Sequence, residues 1–260
     1  MCIAYLAINP QPDWSLFIAA NRDEFHGRPT LPAAPWENNP DIIAGIDCEA
    51  GGTWLGISKQ GRFGLITNFR DPASLMNGAP SRGKLVSDFL FSGCTALDYS
   101  ESILASAAQY NGFNLICGDG RDIYYIGNRN PQQQPRKLGN GSHVLSNHFL
   151  DTPWPKAERL RTALNAFDIQ ALPEAEALEQ VFSILKDNNR APDADLPQTG
   201  LSLERERLLS SPFIISPDYG TRCSTVIAIH KNGQALFSER TYNTKGEAVK
   251  QVKFEFLIEG

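Results

Sequence analysis

The sequence predicts an α+β fold in which two antiparallel sheets pack together with helices outside. Three observations carry this. Apolar runs come in close pairs joined by turn residues, helix-periodic segments also come in pairs, and the order along the chain is ββ-ββ-αα-ββ-β-αα-βββ. Hairpins separated by helix pairs do not build the alternating βαβ units of a doubly wound parallel sheet.

Residues 2–8 (CIAYLAI) and 14–20 (WSLFIAA) read as strands apolar on both faces, an internal sheet position. Asn9-Pro10-Gln11-Pro12-Asp13 joins them as a turn. Residues 52–58 and 62–67 form a second pair around Lys59-Gln60-Gly61. Ser81 or Ser87 then opens a helix carrying Leu85, Val86, Phe89 and Leu90, and another runs from about Thr95 to Tyr110. Strands return at 113–117 and 122–126, where Asp119-Gly120 signals a hairpin, and at 142–146. Pro155 and Pro173 open helices over 155–167 and 173–187. Residues 188–211 are polar and contain Pro192 and Pro197, as a lid, binding loop or linker does. Strands near 222–230, 234–242 and 249–257 close the chain, and no composition shift marks a second domain, so residues 1–260 are expected to form one.

The 260 residues are 42% hydrophobic and 20% charged, enough apolar content for a packed core. A net charge of −5 argues against a nucleic-acid backbone binder. No segment approaches the roughly 20 apolar residues that cross a bilayer, and the first residues lack a secretory pattern. The cysteines Cys2, Cys48, Cys94, Cys117 and Cys223 are odd in number and widely spaced, against a disulfide framework or a structural zinc site. A reduced, cytoplasmic setting is expected.

Cys2 is the candidate nucleophile. If Met1 is removed, one residue carries a thiol (pKa ~8.5) and an α-amine (pKa ~7.7–8.0), so the amine can take the thiol's proton. A hairpin centred near residue 11 sets Cys2 opposite Ala20, and Asn21-Arg22-Asp23-Glu24 then leaves the partner strand beside it. Asp23 can orient the amine, and Arg22 can favour the thiolate or hold a carboxylate. Asn68 and Asn147 each end an apolar strand, where an amide can donate to an oxyanion.

The segments MCIAYLAI, AANRDEF, GGTWLGIS, GLITNFRDP, LSNHFLDTPWPK and YGTRCSTV resemble the NRDE family, also called the transport and Golgi organisation family, over essentially the whole chain. The resemblance implies a four-layer αββα sandwich of N-terminal-nucleophile hydrolase type. More distantly, the start is similar to the choloylglycine hydrolase and penicillin V acylase group, in which an N-terminal Cys attacks an amide carbonyl. That likeness implies catalytic roles for Cys2, Asn21, Asp23, Asn68 and Asn147. It departs at the arginine, since that group has Arg where this chain has Ala20; Arg22 or Arg222 would supply the charge. The implied activity is hydrolysis or transfer of a non-peptide amide or acyl thioester, with no cofactor required. The alternative is a non-enzymatic carrier of haem, acyl-CoA or lipid, with His26 and His148 as candidate axial ligands of haem iron.

Overall fold

A computed structural model describes residues 2–259. In chain order the elements are β1 (Cys2–Gln11), β2 (Trp14–Phe25), β3 (Thr30–Trp36), β4 (Asn39–Asp47), β5 (Leu55–Ser58), β6 (Phe63–Asn68), α1 (Gly83–Phe91), α2 (Ala96–Ser106), β7 (Phe113–Gly118), β8 (Ile123–Gly127), β9 (Arg136–Lys137), β10 (Gly141–Leu145), α3 (Pro155–Asn165), α4 (Ala175–Leu185), α5 (Leu203–Leu208), β11 (Tyr219–His230), β12 (Gln234–Tyr242) and β13 (Ala248–Leu257). They divide between two compact units interleaved in sequence.

The first unit holds the six-stranded sheet β10-β1-β2-β11-β12-β13. Alternation gives each strand two faces. One face, with Ile3, Tyr5, Phe17, Ala19, Val226 and Ala228, packs against Leu160 and Leu164 of α3 and Leu178, Val181, Phe182 and Leu185 of α4. The other carries Leu6, Ile18, Ala20 and Ile227, which are also buried, so the doubly apolar runs do occupy internal strands. The second unit holds the seven-stranded sheet β3-β4-β5-β6-β7-β8-β9 with α1 and α2. Gly56 and Gly64 let α1 approach this sheet closely, because a Cβ at Gly64 would lie 2.9 Å from Val86 and one at Gly56 2.9 Å from Leu90. The first unit thus holds one sheet with α3, α4 and α5, and the second one sheet with α1 and α2, in a mixed α+β fold.

Several sequence expectations change. Cys2 pairs with Arg22, not Ala20, because the tight turn is Pro12-Asp13 and a register shift falls between Ile8 and Gln11. Asn9 takes a positive φ of 49° within that irregular stretch. β2 continues to Phe25, so Asn21-Arg22-Asp23-Glu24 lies inside the strand instead of leaving it. β3 and β4 were not anticipated: Pro29, Pro32, Pro35 and Pro40 mask them, yet β3 is an edge strand with two register shifts, where proline is tolerated. Arg82 precedes α1, and Ser87 lies buried within it. α4 starts at Ala175, two residues after Pro173, and the segment 188–211 contains α5, capped by Ser202. Thr95 caps α2 and Pro155 opens α3 as expected. Removal of Met1 concerns a residue outside those described.

Candidate active site

In the first unit, strand register builds a row of side chains across four strands. Cys2 on β1 lies opposite Arg22 on β2, Arg22 opposite Cys223 on β11, and Cys223 opposite Thr241 on β12. Directly opposed residues in antiparallel strands hold their Cβ atoms about 5 Å apart on one face. The guanidinium-bearing residue is thus flanked by two thiol residues. Arg22 is 8% exposed and approaches Glu24, its same-face neighbour, at 3.9 Å.

Cys2 is itself only 8% exposed, and the hydroxyl of Ser146 donates to its carbonyl oxygen at 3.3 Å. Burial pushes its thiol above the ordinary range and the Asp23 carboxylate adds to the rise, while Arg22 and a hydrogen bond from the Asp23 backbone N–H oppose it. The expectation that Arg22 and Asp23 neighbour Cys2 matches this geometry, with Arg22 alternating to the opposite face from Asn21.

Asp23 is fully buried and accepts a hydrogen bond from the Thr221 hydroxyl at 2.7 Å. Burial raises its carboxyl to about 6, against the pull of Lys156 and the Thr221 bond. Lys156 escaped the sequence reading. It is 2% exposed at the start of α3, on the stripe continued by Leu160 and Leu164. A lysine at i of an otherwise apolar i, i+4, i+8 stripe was the available signal.

Asn21 has other work. Its Nδ2 donates to Leu185 O at 2.7 Å and Pro212 O at 2.9 Å, and its Oδ1 accepts from Ser224 at 2.6 Å. These bonds engage both amide hydrogens and tie β2 to the end of α4, a structural use that the sequence does not announce. Arg222 sits at the register shift between Thr221 and Cys223, where the extra residue turns its side chain from the alternation. Its guanidinium donates to Phe25 O at 2.9 Å and His26 O at 3.3 Å. Burial lowers its pKa, and the nearby Arg22 charge lowers it further. The ring of His26 hydrogen-bonds Ser216 O through Nε2 at 3.1 Å, which leaves one ring nitrogen for any ligand.

Asn68, Asn147 and His148 belong to the second unit. The Asn147 amide donates to Asn68 O at 3.1 Å, and Arg70 N donates to Asn147 O at 2.7 Å, so the two asparagine-bearing segments are paired. The His148 ring packs on Phe69 and Phe149, with centroids 5.1 and 4.5 Å away. Burial, then the Arg70 charge, lowers its pKa. Among the described residues no group of three or more His, Cys, Asp or Glu side chains is arranged to hold a metal ion.

The family model described as Transport and Golgi organisation 2 matches residues 1–244. The mouse Transport and Golgi organization 2 homolog is 36% identical over 277 aligned positions, covering 100% of both chains. The bovine homolog is 37% identical, covering 93% of each. Among solved structures, the C2A mutant of a conjugated bile acid hydrolase from Clostridium perfringens superposes with a TM-score of 0.51 at 8% identity, over 98% of this chain and 97% of that one. The last likeness shows a shared N-terminal-nucleophile hydrolase-type fold. The matches over nearly the whole length show that the chain belongs to the Transport and Golgi organisation 2 family.

Proposed function

We propose that the first unit carries a Cys2-dependent hydrolase or acyltransferase acting on a non-peptide amide or acyl thioester. The observation that carries this reading is the direct pairing of Cys2 with Arg22, with the Asp23 backbone N–H at the Cys2 sulfur. A thiol held above its ordinary range is not a thiolate at neutral pH, so a base must take its proton as it attacks. With Met1 removed, the Cys2 α-amine is that base, and Asp23 orients the ammonium that forms. The sulfur adds to the carbonyl carbon, and the tetrahedral intermediate collapses to an acyl-enzyme thioester. The ammonium returns its proton to the departing amine or thiolate. Water, or an acceptor nucleophile, then releases the acyl group and regenerates the thiol. Arg22 favours the developing thiolate, and Arg222 adds positive charge nearby. The proposed machinery draws on the first unit alone.

The bile acid hydrolase with the same fold bears an alanine in place of its own second-residue cysteine, which supports a functional part for a cysteine at this point of the scaffold. The test compares the purified protein with Cys2→Ala across a panel of N-acyl amides and acyl thioesters. Turnover present in the former and absent in the latter, with unchanged circular dichroism, is the expected result. Equal turnover in both overturns the reading. Saturable haem or acyl-lipid binding that survives Cys2→Ala, with no cleavage, would replace it with a carrier.

A further inference from the structure

The edge of a sheet presents backbone N–H and C=O groups that another strand can complete, and proteins commonly blunt it. The two sheets have four edges, and three of them are blunted. β3 carries Pro32 and Pro35 and two register shifts. β9 is two residues long, and β10 is five residues long and opens on Gly141. The fourth edge, β13, runs for ten residues with no proline and no glycine, and none of the ten is buried. Alternation divides it into two rows. Val252, Phe254 and Phe256 are half-buried on one face, where Phe254 meets Phe237 of β12 with centroids 6.3 Å apart. Gln251, Lys253 and Glu255 lie exposed on the other. Lys253 Nζ sits 3.1 Å from Glu255, with the two side chains 37% and 53% exposed, and donates to Pro173 O at 3.2 Å.

We propose that β13 is an interface between two copies of this chain: it pairs antiparallel with β13 of a second copy about a two-fold axis through Phe254, joining two six-stranded sheets edge to edge. The residue pattern of the strand selects both the occupant and the register. Along an antiparallel edge, residues whose backbone groups point outward alternate with residues whose groups point back into the sheet, and outward residues must meet outward residues. A self-pairing axis therefore passes through a residue and not between two. An axis through Lys253 opposes the two lysines, and one through Glu255 opposes the two glutamates, both unfavourable. An axis through Val252 sets Lys253 against Gln251 and Glu255 against Val249. The axis through Phe254 sets each Lys253 opposite Glu255 of the other copy, Phe254 opposite Phe254, and Val252 opposite Phe256. The charges then alternate in sign around the axis. The lysine that blunts this edge against other strands is neutralised by the copy, a match the chain supplies to itself. The inference is independent of the Cys2 reaction.

One strand pair makes a small interface, so the dissociation constant is expected in the micromolar range. Sedimentation velocity on the full chain, from submicromolar to near-millimolar concentration, tests it, and a monomer–dimer equilibrium is the expected result. Lys253→Glu and Glu255→Lys each place like charges all around the axis, so each variant alone should raise the dissociation constant at least about tenfold. Mixed in equal amounts, the two variants complement each other and should form a heterodimer about as tight as the wild-type dimer. Both substitutions fall on exposed side chains, and circular dichroism checks that each variant is folded. Should one of them not fold, the chain carrying both reversals decides, since it restores the match and should dimerise like the wild type. A wild-type chain that stays monomeric at every concentration overturns the proposal. So does a dimer that the charge reversals leave intact, or one that the complementary reversal fails to restore, because its contact then lies elsewhere.

Discussion

Asp23 and Asn21 sit two residues apart in one strand, yet a single change at each has opposite consequences. Burial lifts the Asp23 carboxyl from 3.8 to about 6. A carboxyl whose folded pKa exceeds its unfolded one stabilises the fold while protonated. That contribution is present below about pH 4 and is lost as the pH rises through 6. Asp23→Asn should therefore be more stable than the wild type at pH 7.5, by up to about 3 kcal/mol, with the gap closing below about pH 4. Urea unfolding at both pH values checks it, and a gap that widens in acid contradicts it. Asn21→Ala leaves the Leu185 and Pro212 carbonyls buried without their donor. It should cost about 2–4 kcal/mol at every pH, read as a fall in the urea midpoint. The chemistry-bearing residue types Cys2, Arg22 and Asp23 were legible in the sequence. The structural use of Asn21 was not, since its partners lie 164 and 191 residues away and only folding brings them near. Lys156 was legible in principle but is disguised as an ordinary first-turn lysine.

At the scale of elements, register decides which side chains meet. The apolar runs identified β1 and β2 as internal, but the turn falls at Pro12-Asp13 instead of near residue 11, with an irregular stretch before it, and this moves the partner of Cys2 two residues, from Ala20 to Arg22. Such shifts are set by local turn geometry, which composition does not encode. β3 stayed hidden for a different reason. Its prolines are disallowed in a central strand and harmless at the sheet edge it occupies. Gly64 supplies the element-scale prediction. It faces Val86 of α1 so closely that a methyl group would force the helix outward. Gly64→Ala should destabilise by about 1–3 kcal/mol through overpacking, and Gly64→Ala with Val86→Ala should recover part of the loss. Thermal unfolding of the single and double variants measures this; equal unfolding temperatures for wild type and Gly64→Ala would contradict the close approach.

Over the whole molecule, two antiparallel sheets with helices in each unit, the family, and the fold shared with a bile acid hydrolase agree with the sequence reading. Hairpins, capped helices and doubly apolar strands are local signals and were readable; the interleaving of the two units is a long-range property and was not. No described helix is long and apolar enough to cross a membrane. Cys48 and Cys94 are exposed, whereas Cys2, Cys117 and Cys223 are buried. Burial also pushes the Cys117 and Cys223 thiols up. Native-state labelling with a maleimide should therefore modify Cys48 and Cys94 first, with Cys117 and Cys223 labelled only on unfolding. Peptide mass mapping reads the order, and early labelling of Cys117 would contradict the packing. In the proposed reaction Cys2 performs covalent chemistry. The most direct measurement is the mass of the N-terminal peptide of protein purified from its native host, after brief exposure to an acyl thioester panel and an acid quench. A Met1-free peptide carrying one acyl group on Cys2 is the predicted result. A peptide that retains Met1 and stays unmodified throughout the panel would contradict it.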